Sequence, residues 1–163
     1  MRQWLVAGGL VENDDGLLLV QNLRRNGSMD WSPPGGVIEI AEGESVVDGL
    51  TREVAEETGI VVSQWNGPVY EVIAVAEGLG WELRVEVHRA MQFSGDLVVA
   101  DPDGIVVDAR FVAVDDCFHH LAGGHAWVRE PLGAWLMERW SGSRSYAYRL
   151  EGGSSDALTV VRA

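Results

Sequence analysis

Three glutamates, Glu53, Glu56 and Glu57, are spaced so that a single helix would bring their carboxylates together. On a helical wheel at about 100° per residue they share an arc of about 100°. Carboxylates this close are unfavourable unless they are protonated, paired or bound to cations, and their hard oxygens suit Mg²⁺ or Mn²⁺. The spacing therefore predicts a metal site, although an ordinary solvated acidic helix end would show the same spacing.

The segment at 45–57 has the boundaries of a helix. Ser45 is a good N-cap, and Gly59 follows as a C-cap. An apolar stripe that has to pack on the core borders the glutamates on the wheel, and it consists of Val46, Val47, Leu50 and Val54. We therefore expect the carboxylates at the edge of the contact between helix and sheet, where a cleft would form.

The sequence around this helix resembles the box of the Nudix hydrolase family, whose members include the MutT-like proteins. The box has the form G-x5-E-x7-R-E-U-x-E-E-x-G-U, where U is a bulky aliphatic residue. Glu44 is followed after seven residues by Arg52, and every later fixed position is matched through Ile60. The run W-S-P-P-G-G at 31–36 is similar to the entry of the box. Seven residues separate Gly36 from Glu44 where the family has five, so we place a two-residue insertion in this loop.

The resemblance implies an α/β fold, namely a Nudix-type α/β/α sandwich with a mixed β-sheet. It implies a Mg²⁺ or Mn²⁺ site built from three carboxylates and a glycine backbone carbonyl: Glu53, Glu56, Glu57, and Gly35 or Gly36. It also implies that Arg52 and Glu44 pair and brace the loop against the helix. Either Glu53 or Glu56 would then be the general base for attack of water on a diphosphate linkage.

The rest of the chain predicts mainly strands. Runs rich in β-forming residues and bounded by turn residues predict strands at 4–11, 17–23, 69–76, 81–93 and 109–114, the first two forming a pair. Residues 24–36 contain Asn26-Gly27 and two prolines, which predicts a loop. Apolar residues at i, i+3, i+4 and i+8 predict a second helix at 131–140.

The C-terminal part of the chain lies outside the resemblance. Its two β-rich runs, at 146–150 and 158–161, predict a terminal hairpin, and a loosely held tail is the alternative. We assign residues 1–140 to a Nudix domain and residues 141–163 to a C-terminal extension of the same domain.

Candidate substrate contacts lie before the box. Arg24 and Arg25 could reach substrate phosphates, and Trp31 could stack on a base, although loop arginines are more often solvated. An additional acidic ligand could come from the loop before the last predicted strand of the domain, although turn chemistry alone would favour the aspartates there, Asp101, Asp103 and Asp108.

Composition excludes several classes of protein. A formal net charge of −13 disfavours a stable nucleic-acid partner, and all 12 basic residues are arginines, which excludes a catalytic or P-loop lysine. The single cysteine cannot form an internal disulfide. No apolar run approaches the roughly 20 residues of a membrane span. We expect a cytoplasmic, bacterial protein with a small-molecule nucleotide substrate and no membrane partner, and leave a homodimer open.

The resemblance implies Mg²⁺-dependent hydrolysis of a diphosphate linkage in a nucleoside diphosphate derivative. By elimination of subfamily motifs, the first candidate is a nucleoside triphosphate, ordinary or oxidised, cleaved to monophosphate and pyrophosphate. The alternatives are ADP-ribose or nucleotide-sugar pyrophosphatase activity and a non-catalytic nucleotide sensor.

Overall fold

Two β-sheets and three helices make up the fold in the computed structural model, which describes residues 1–152 and 159–163. Within these residues, no helix is long and apolar enough to cross a membrane. In chain order the elements are β1 (Arg2–Leu10), β2 (Glu12–Asn13), β3 (Gly16–Leu23), β4 (Met29–Ser32), β5 (Gly35–Val37), α1 (Val46–Thr58), β6 (Val61–Ala76), β7 (Trp81–Ser94), β8 (Val106–Val112), α2 (Val114–Leu121), α3 (Ala126–Glu138), β9 (Arg144–Glu151) and β10 (Thr159–Arg162).

The larger sheet is mixed. Its strand order is β10-β9-β6-β7-β1-β5, with parallel pairing of β1 to β7 and of β6 to β9 and antiparallel pairing elsewhere. In the smaller sheet β3 pairs with β2, β4 and β8. The predicted α/β class with a mixed sheet is confirmed.

Two hydrophobic clusters hold the layers together. In one, Leu50 and Val54 of α1 pack with Ala7 of β1 and Val20 of β3. In the other, Leu132 and Trp135 of α3 pack with side chains of β6, β7 and β9. Because the strands alternate their side chains between faces, the same sheet supports α1 on one side and α3 on the other.

The predicted pairing of the first two strands is wrong. Both strands are present, but β1 lies in the larger sheet between β5 and β7, and β3 lies in the smaller one. The turn at 13–16 reverses the chain only over the two residues of β2, which pair with Gly16 and Leu17. Turn residues specify where the chain reverses its direction locally. The sheet that each flanking strand joins depends on residues far away in the sequence.

The predicted loop at 24–36 contains two short strands, and this is a second correction. Met29–Ser32 forms β4 against β3, and Gly35–Val37 begins with the last two residues of that range and forms β5 against β1. Segments of three and four residues carry too little periodicity to be recognised in a stretch rich in glycine and proline.

Helix α1 agrees closely with the prediction. The Ser45 hydroxyl accepts a hydrogen bond from the Asp48 N–H at 3.1 Å, and Gly59 ends the helix with φ of +79°. Leu50 and Val54 are buried as expected, but Val47 is 40% exposed. Val46 in the same turn packs against the core cluster, so Val47 is exposed because it lies at the edge of the stripe on the helical wheel.

The C-terminal helices differ from the prediction in extent. Helix α3 begins at Ala126, five residues before the predicted start, and contains Pro131 inside it, while α2 was not predicted. Proline is tolerated at this sixth helical position at the cost of one intrahelical hydrogen bond, so it did not mark the helix start.

The C-terminal segment joins the larger sheet. Strand β9 pairs in parallel with β6, and β10 pairs antiparallel with β9. The predicted second run began at Leu158, which lies outside the described residues, as does the stretch at 153–157. The division at residue 140 stays a prediction.

Candidate active site

A cleft of about 440 Å³ is lined by residues of β1, β3, β5, α1, β6, β7 and α3, and its two ends differ in chemistry. One end, the acidic wall, is lined by Glu39, Glu53, Glu57, Asp101 and Asp103 together with Gly35 and Gly36. The other end, the apolar wall, is lined by Val6, Tyr70, Val72, Val85, Val87, Trp127 and Val128. Such a cleft can hold a ligand that is anionic at one end and aromatic or apolar at the other, provided that cations accompany the anion.

Glu57 is the most buried carboxylate of the acidic wall, with 8% of its surface exposed. Its Oε2 accepts a hydrogen bond from the Gly35 N–H at 2.9 Å, which ties the end of α1 to β5. Burial, opposed in part by this hydrogen bond and reinforced by Glu53 and Asp101, raises the pKa of Glu57 to about 8. A buried carboxylate of this kind favours either a proton or a metal ion beside it.

Glu53 approaches the backbone of β5 closely. A Cβ atom at Gly36 would lie 2.6 Å from Cδ of Glu53, so only glycine leaves room for the carboxylate in its present position. Burial raises the pKa of Glu53 above its ordinary value, although Arg52 opposes the shift. The second glycine of the P-P-G-G run therefore has a steric role that its sequence alone did not specify.

Arg52 is the hub of an ion-pair network. Its guanidinium donates to both carboxylate oxygens of Glu44 at 2.8 and 3.0 Å, so the expected pairing of Arg52 with Glu44 is present. The same group donates to Glu53 at 3.1 Å and to Glu56 at 3.2 Å. The hydrogen bonds from Arg52 lower the pKa of Glu44 to about 2. Arg52 thus connects the loop before α1 to two of the predicted metal ligands.

Gly49 makes this network sterically feasible. A Cβ atom at Gly49 would lie 2.7 Å from both the Glu44 carboxylate and the Ile38 side chain. The absence of a side chain at Gly49 therefore leaves room for the Glu44–Arg52 pair. A mid-helix glycine costs roughly 1 kcal/mol relative to alanine, which close packing of this kind can offset.

The donor set of the acidic wall fits a hard divalent cation, because it offers only carboxylate and backbone oxygens. Within residues 1–152 and 159–163, no three His, Cys, Asp or Glu side chains are grouped closely enough to hold a metal ion by themselves. The donors surround an open cleft instead, an arrangement that suits Mg²⁺, which usually keeps several waters.

The two aspartates of the acidic wall differ in their roles. The Asp101 carboxylate accepts hydrogen bonds from the backbone N–H groups of Asp103, Ile105 and Val106, so it shapes its own loop. Asp103 lies close enough to Glu53 to raise its pKa. Asp108 instead bonds Arg110 and is not among the residues that line the cleft.

The three predicted substrate contacts lie in different places. Arg24 lines the cleft, but it is held by Asp30 through hydrogen bonds of 2.7 and 2.8 Å. Arg25 is exposed and does not line the cleft. Trp31 packs edge-on against His120 at a centroid distance of 5.0 Å, also outside the cleft lining. Of the three, the structure brings only Arg24 to the cleft.

Sequence reasoning missed the tryptophan that does line the cleft. Trp127 lies in the second position of α3, and its ring stacks on His125 at a centroid distance of 4.0 Å. Because the second helix was predicted to begin at residue 131, Trp127 lay outside any predicted element, and no pattern indicated that it would line a site. No local signal identifies its partners, because they come from β6 and β7.

The comparison with known families agrees with this geometry. The NUDIX domain pattern matches residues 2–136, which is most of the chain. The chain belongs to the Nudix family. A curated relative of this Nudix hydrolase is an uncharacterized Nudix hydrolase, YvcI, of Bacillus subtilis (strain 168), which is 44% identical over 101 residues. That alignment covers 61% of this chain and 61% of the relative.

Solved structures share the fold of this Nudix hydrolase. The E. coli ORF135 protein matches with a TM-score of 0.68 at 21% identity, over 86% of this chain and 96% of that one. A MutT NUDIX hydrolase from Burkholderia pseudomallei matches with a TM-score of 0.60 at 25% identity, over 71% and 86%. An ADP-ribose pyrophosphatase from Streptococcus suis matches with a TM-score of 0.55 at 23% identity, over 87% and 98%.

Proposed function

We propose that this Nudix hydrolase cleaves a diphosphate linkage in a nucleoside diphosphate derivative, with a nucleoside triphosphate, ordinary or oxidised, as the first candidate. The products would be a nucleoside monophosphate and pyrophosphate. One observation carries the proposal: a single cleft joins the carboxylates of the box helix to an apolar wall that contains a tryptophan. Phosphates and a base are the two substrate parts that these two surfaces would recognise.

The acidic wall would act with Mg²⁺ or Mn²⁺ held by Glu53, Glu56, Glu57 and a backbone carbonyl of Gly35 or Gly36. The bound ion would neutralise phosphate oxygens and lower the pKa of the attacking water. The chain itself supplies few positive charges here, since Arg24 is paired with Asp30 and Arg52 with glutamates. A highly charged anion therefore needs cations to enter this cleft.

Glu53 is our candidate general base. It lines the cleft, whereas Glu56 lines a neighbouring depression together with Glu42 and Asp103. Its raised pKa makes the ionised carboxylate a stronger acceptor for a proton from the attacking water. Arg52, braced by Glu44, would hold Glu53 in place as a positioning residue.

A panel assay tests the proposal. Pyrophosphate and phosphate release would be measured from nucleoside triphosphates, ADP-ribose, nucleotide sugars and dinucleotides, with Mg²⁺ and with EDTA, for wild type and Glu56→Gln. We expect Mg²⁺-dependent turnover that the substitution abolishes or strongly reduces. Turnover of ADP-ribose or nucleotide sugars alone would contradict a nucleoside triphosphate as the substrate and support one of these compounds instead. Tight nucleotide binding without turnover of any compound would contradict hydrolysis and favour a sensor.

A further inference from the structure

Four polar side chains on β3, on β4 and just after β3 are joined by hydrogen bonds, and three of them line the cleft. Asn22 on β3 lies directly opposite Asp30 on β4 in the strand register, and Ser32 follows two residues later on the same face. Asn22 is 6% exposed and lines the cleft together with Ser32 and Arg24. The mechanism of hydrolysis does not use this row, so its chemistry needs a separate account.

The orientation of the Asn22 amide is fixed by its partners. Its Nδ2 group donates to Asp30 Oδ1 at 3.1 Å and to Ser32 Oγ at 2.9 Å. Although burial raises the pKa of Asp30, hydrogen bonds from Arg24 and Asn22 lower it below its ordinary value, so Asp30 is an acceptor only. The opposite amide orientation would point an oxygen at this carboxylate and is excluded by repulsion.

The amide oxygen of Asn22 therefore remains available to a ligand. Both hydrogens of Nδ2 are used, and within residues 1–152 and 159–163 no donor is directed at Oδ1. The residue lines the cleft that also contains Trp127 and the valines of the apolar wall. A flat ring lying against Trp127 would have its edge within the same cleft as this acceptor, and larger rings gain more from such stacking.

We propose that Asn22 determines base specificity, with its Oδ1 accepting a hydrogen bond from an N–H group on the edge of a purine base. Arg24 and Asp30 act through Asn22 as positioning residues, because their ion pair fixes which end of the amide faces the cleft. The inference rests on the proposed function only in taking a nucleotide as the ligand. It assigns Arg24 a bracing role in place of the predicted phosphate contact.

The test compares purine nucleotides that differ in edge donors. Purine riboside 5′-monophosphate has no N–H on its base, whereas AMP, IMP and GMP each carry at least one. Dissociation constants would be measured by calorimetry in the presence of Mg²⁺, so that the readout does not depend on turnover. We expect the tightest of the three donors to bind at least roughly tenfold more tightly than the riboside compound, because the riboside compound displaces water from Oδ1 without replacing its hydrogen bond.

The variants separate recognition from folding. Asn22→Leu keeps the side-chain volume and removes the acceptor. In this variant the ratio of dissociation constants between the riboside compound and the tightest donor should fall to about twofold or less, because no hydrogen bond to the base remains. Asp30→Asn allows the Asn22 amide to turn round, so the ratio of dissociation constants should shrink in this variant also. If Asn22→Leu does not fold, Asp30→Asn serves as the test instead. Asn66→Leu, the same substitution at an exposed asparagine outside the cleft, should keep the wild-type difference.

The outcomes are distinguishable from those of the proposed function. Equal binding of all four compounds by the wild type, or a difference that survives in Asn22→Leu, overturns the role of Asn22 whether or not the protein hydrolyses nucleotides. Selective binding without turnover supports Asn22 as the base reader and contradicts hydrolysis. Selective binding together with a matching order of kcat/KM for the corresponding triphosphates supports both.

Discussion

The two walls of the cleft are assembled in opposite ways. The two carboxylates of the box in the acidic wall, Glu53 and Glu57, come from a single helix that local spacing and caps specify, and the loops at 39 and 101–103 add the other acids. The apolar wall draws its residues from β1, β6, β7 and α3, which are separated by up to about 120 positions along the chain. The comparison teaches that the reacting groups are encoded locally, whereas the surface that would choose the substrate exists only after the sheet has formed.

If the acidic wall performs chemistry, Glu53→Gln should have the largest effect. We expect kcat to fall by about 10²–10⁴-fold with a smaller change in KM, because the variant lacks the proton acceptor. Steady-state kinetics with Mg²⁺ on the best substrate would measure it, with Glu77→Gln, an exposed glutamate away from the cleft, as the control. A rise in KM at unchanged kcat would place Glu53 in substrate binding and remove the contrast between the walls.

If the apolar wall binds the base, Trp127→Ala should raise KM instead. The expected increase is about 5–150-fold, corresponding to about 1–3 kcal/mol for loss of one stacked base. Trp127→Phe keeps an aromatic face and should recover most of the affinity. A loss of kcat equal to that of Glu53→Gln, with KM unchanged, would show that the apolar wall takes part in chemistry.

Gly36→Ala tests the contact between β5 and the acidic wall. The added methyl group would displace the Glu53 carboxylate, so we expect kcat to fall on the order of tenfold, as for other changes in outer-shell groups. The melting temperature should change little, because the far end of a flexible side chain can move. Gly123→Ala, whose methyl group would meet nothing within 4 Å, is the matched control. Equal activity in both variants would contradict the steric role of Gly36.

The smallest expected effect is on the pH dependence of the free energy of unfolding of the metal-free protein. The pKa of Glu57 is raised to about 8, so between its unfolded value near 4.5 and pH 8 the folded state binds more protons than the unfolded state. Stability from Glu57 is therefore present at low pH and is lost as pH rises through 8. Urea unfolding in EDTA should show decreasing stability from pH 5 to pH 8.5 in wild type and a flatter profile in Glu57→Gln. Identical profiles would contradict the burial argument.

Much of the acidic wall was predictable. The caps Ser45 and Gly59 and the apolar stripe of Leu50 and Val54 fixed α1 almost to the residue, since helix ends are determined by a few neighbouring side chains. The exposed Val47 shows the limit of this reasoning. A wheel gives the direction of each side chain around the helix axis but not the width of the face that the core covers.

The apolar wall was mostly beyond prediction. The sequence analysis proposed a stacking role for Trp31 and assigned no element to Trp127, yet the structure places Trp127 in the cleft and Trp31 beside His120. Both tryptophans lie beside glycine-rich or polar turns, so their local sequence does not distinguish them. Trp31 on β4 packs against α2, and Trp127 on α3 packs against side chains of β6 and β7, so both positions depend on contacts between distant segments of the chain.

The sequence by itself determined the acidic helix, its caps, the Arg52–Glu44 pair and the family, because each depends on residues within a few turns of one another. Only the tertiary structure decided that β1 and β3 enter different sheets, that Gly36 makes room for Glu53, and that Asn22 faces the cleft with its amide held by Asp30. The physical reason is the range of the interactions. Hydrogen bonds and side-chain contacts within a helix act between near neighbours in the sequence, whereas strand pairing and burial act between neighbours in space.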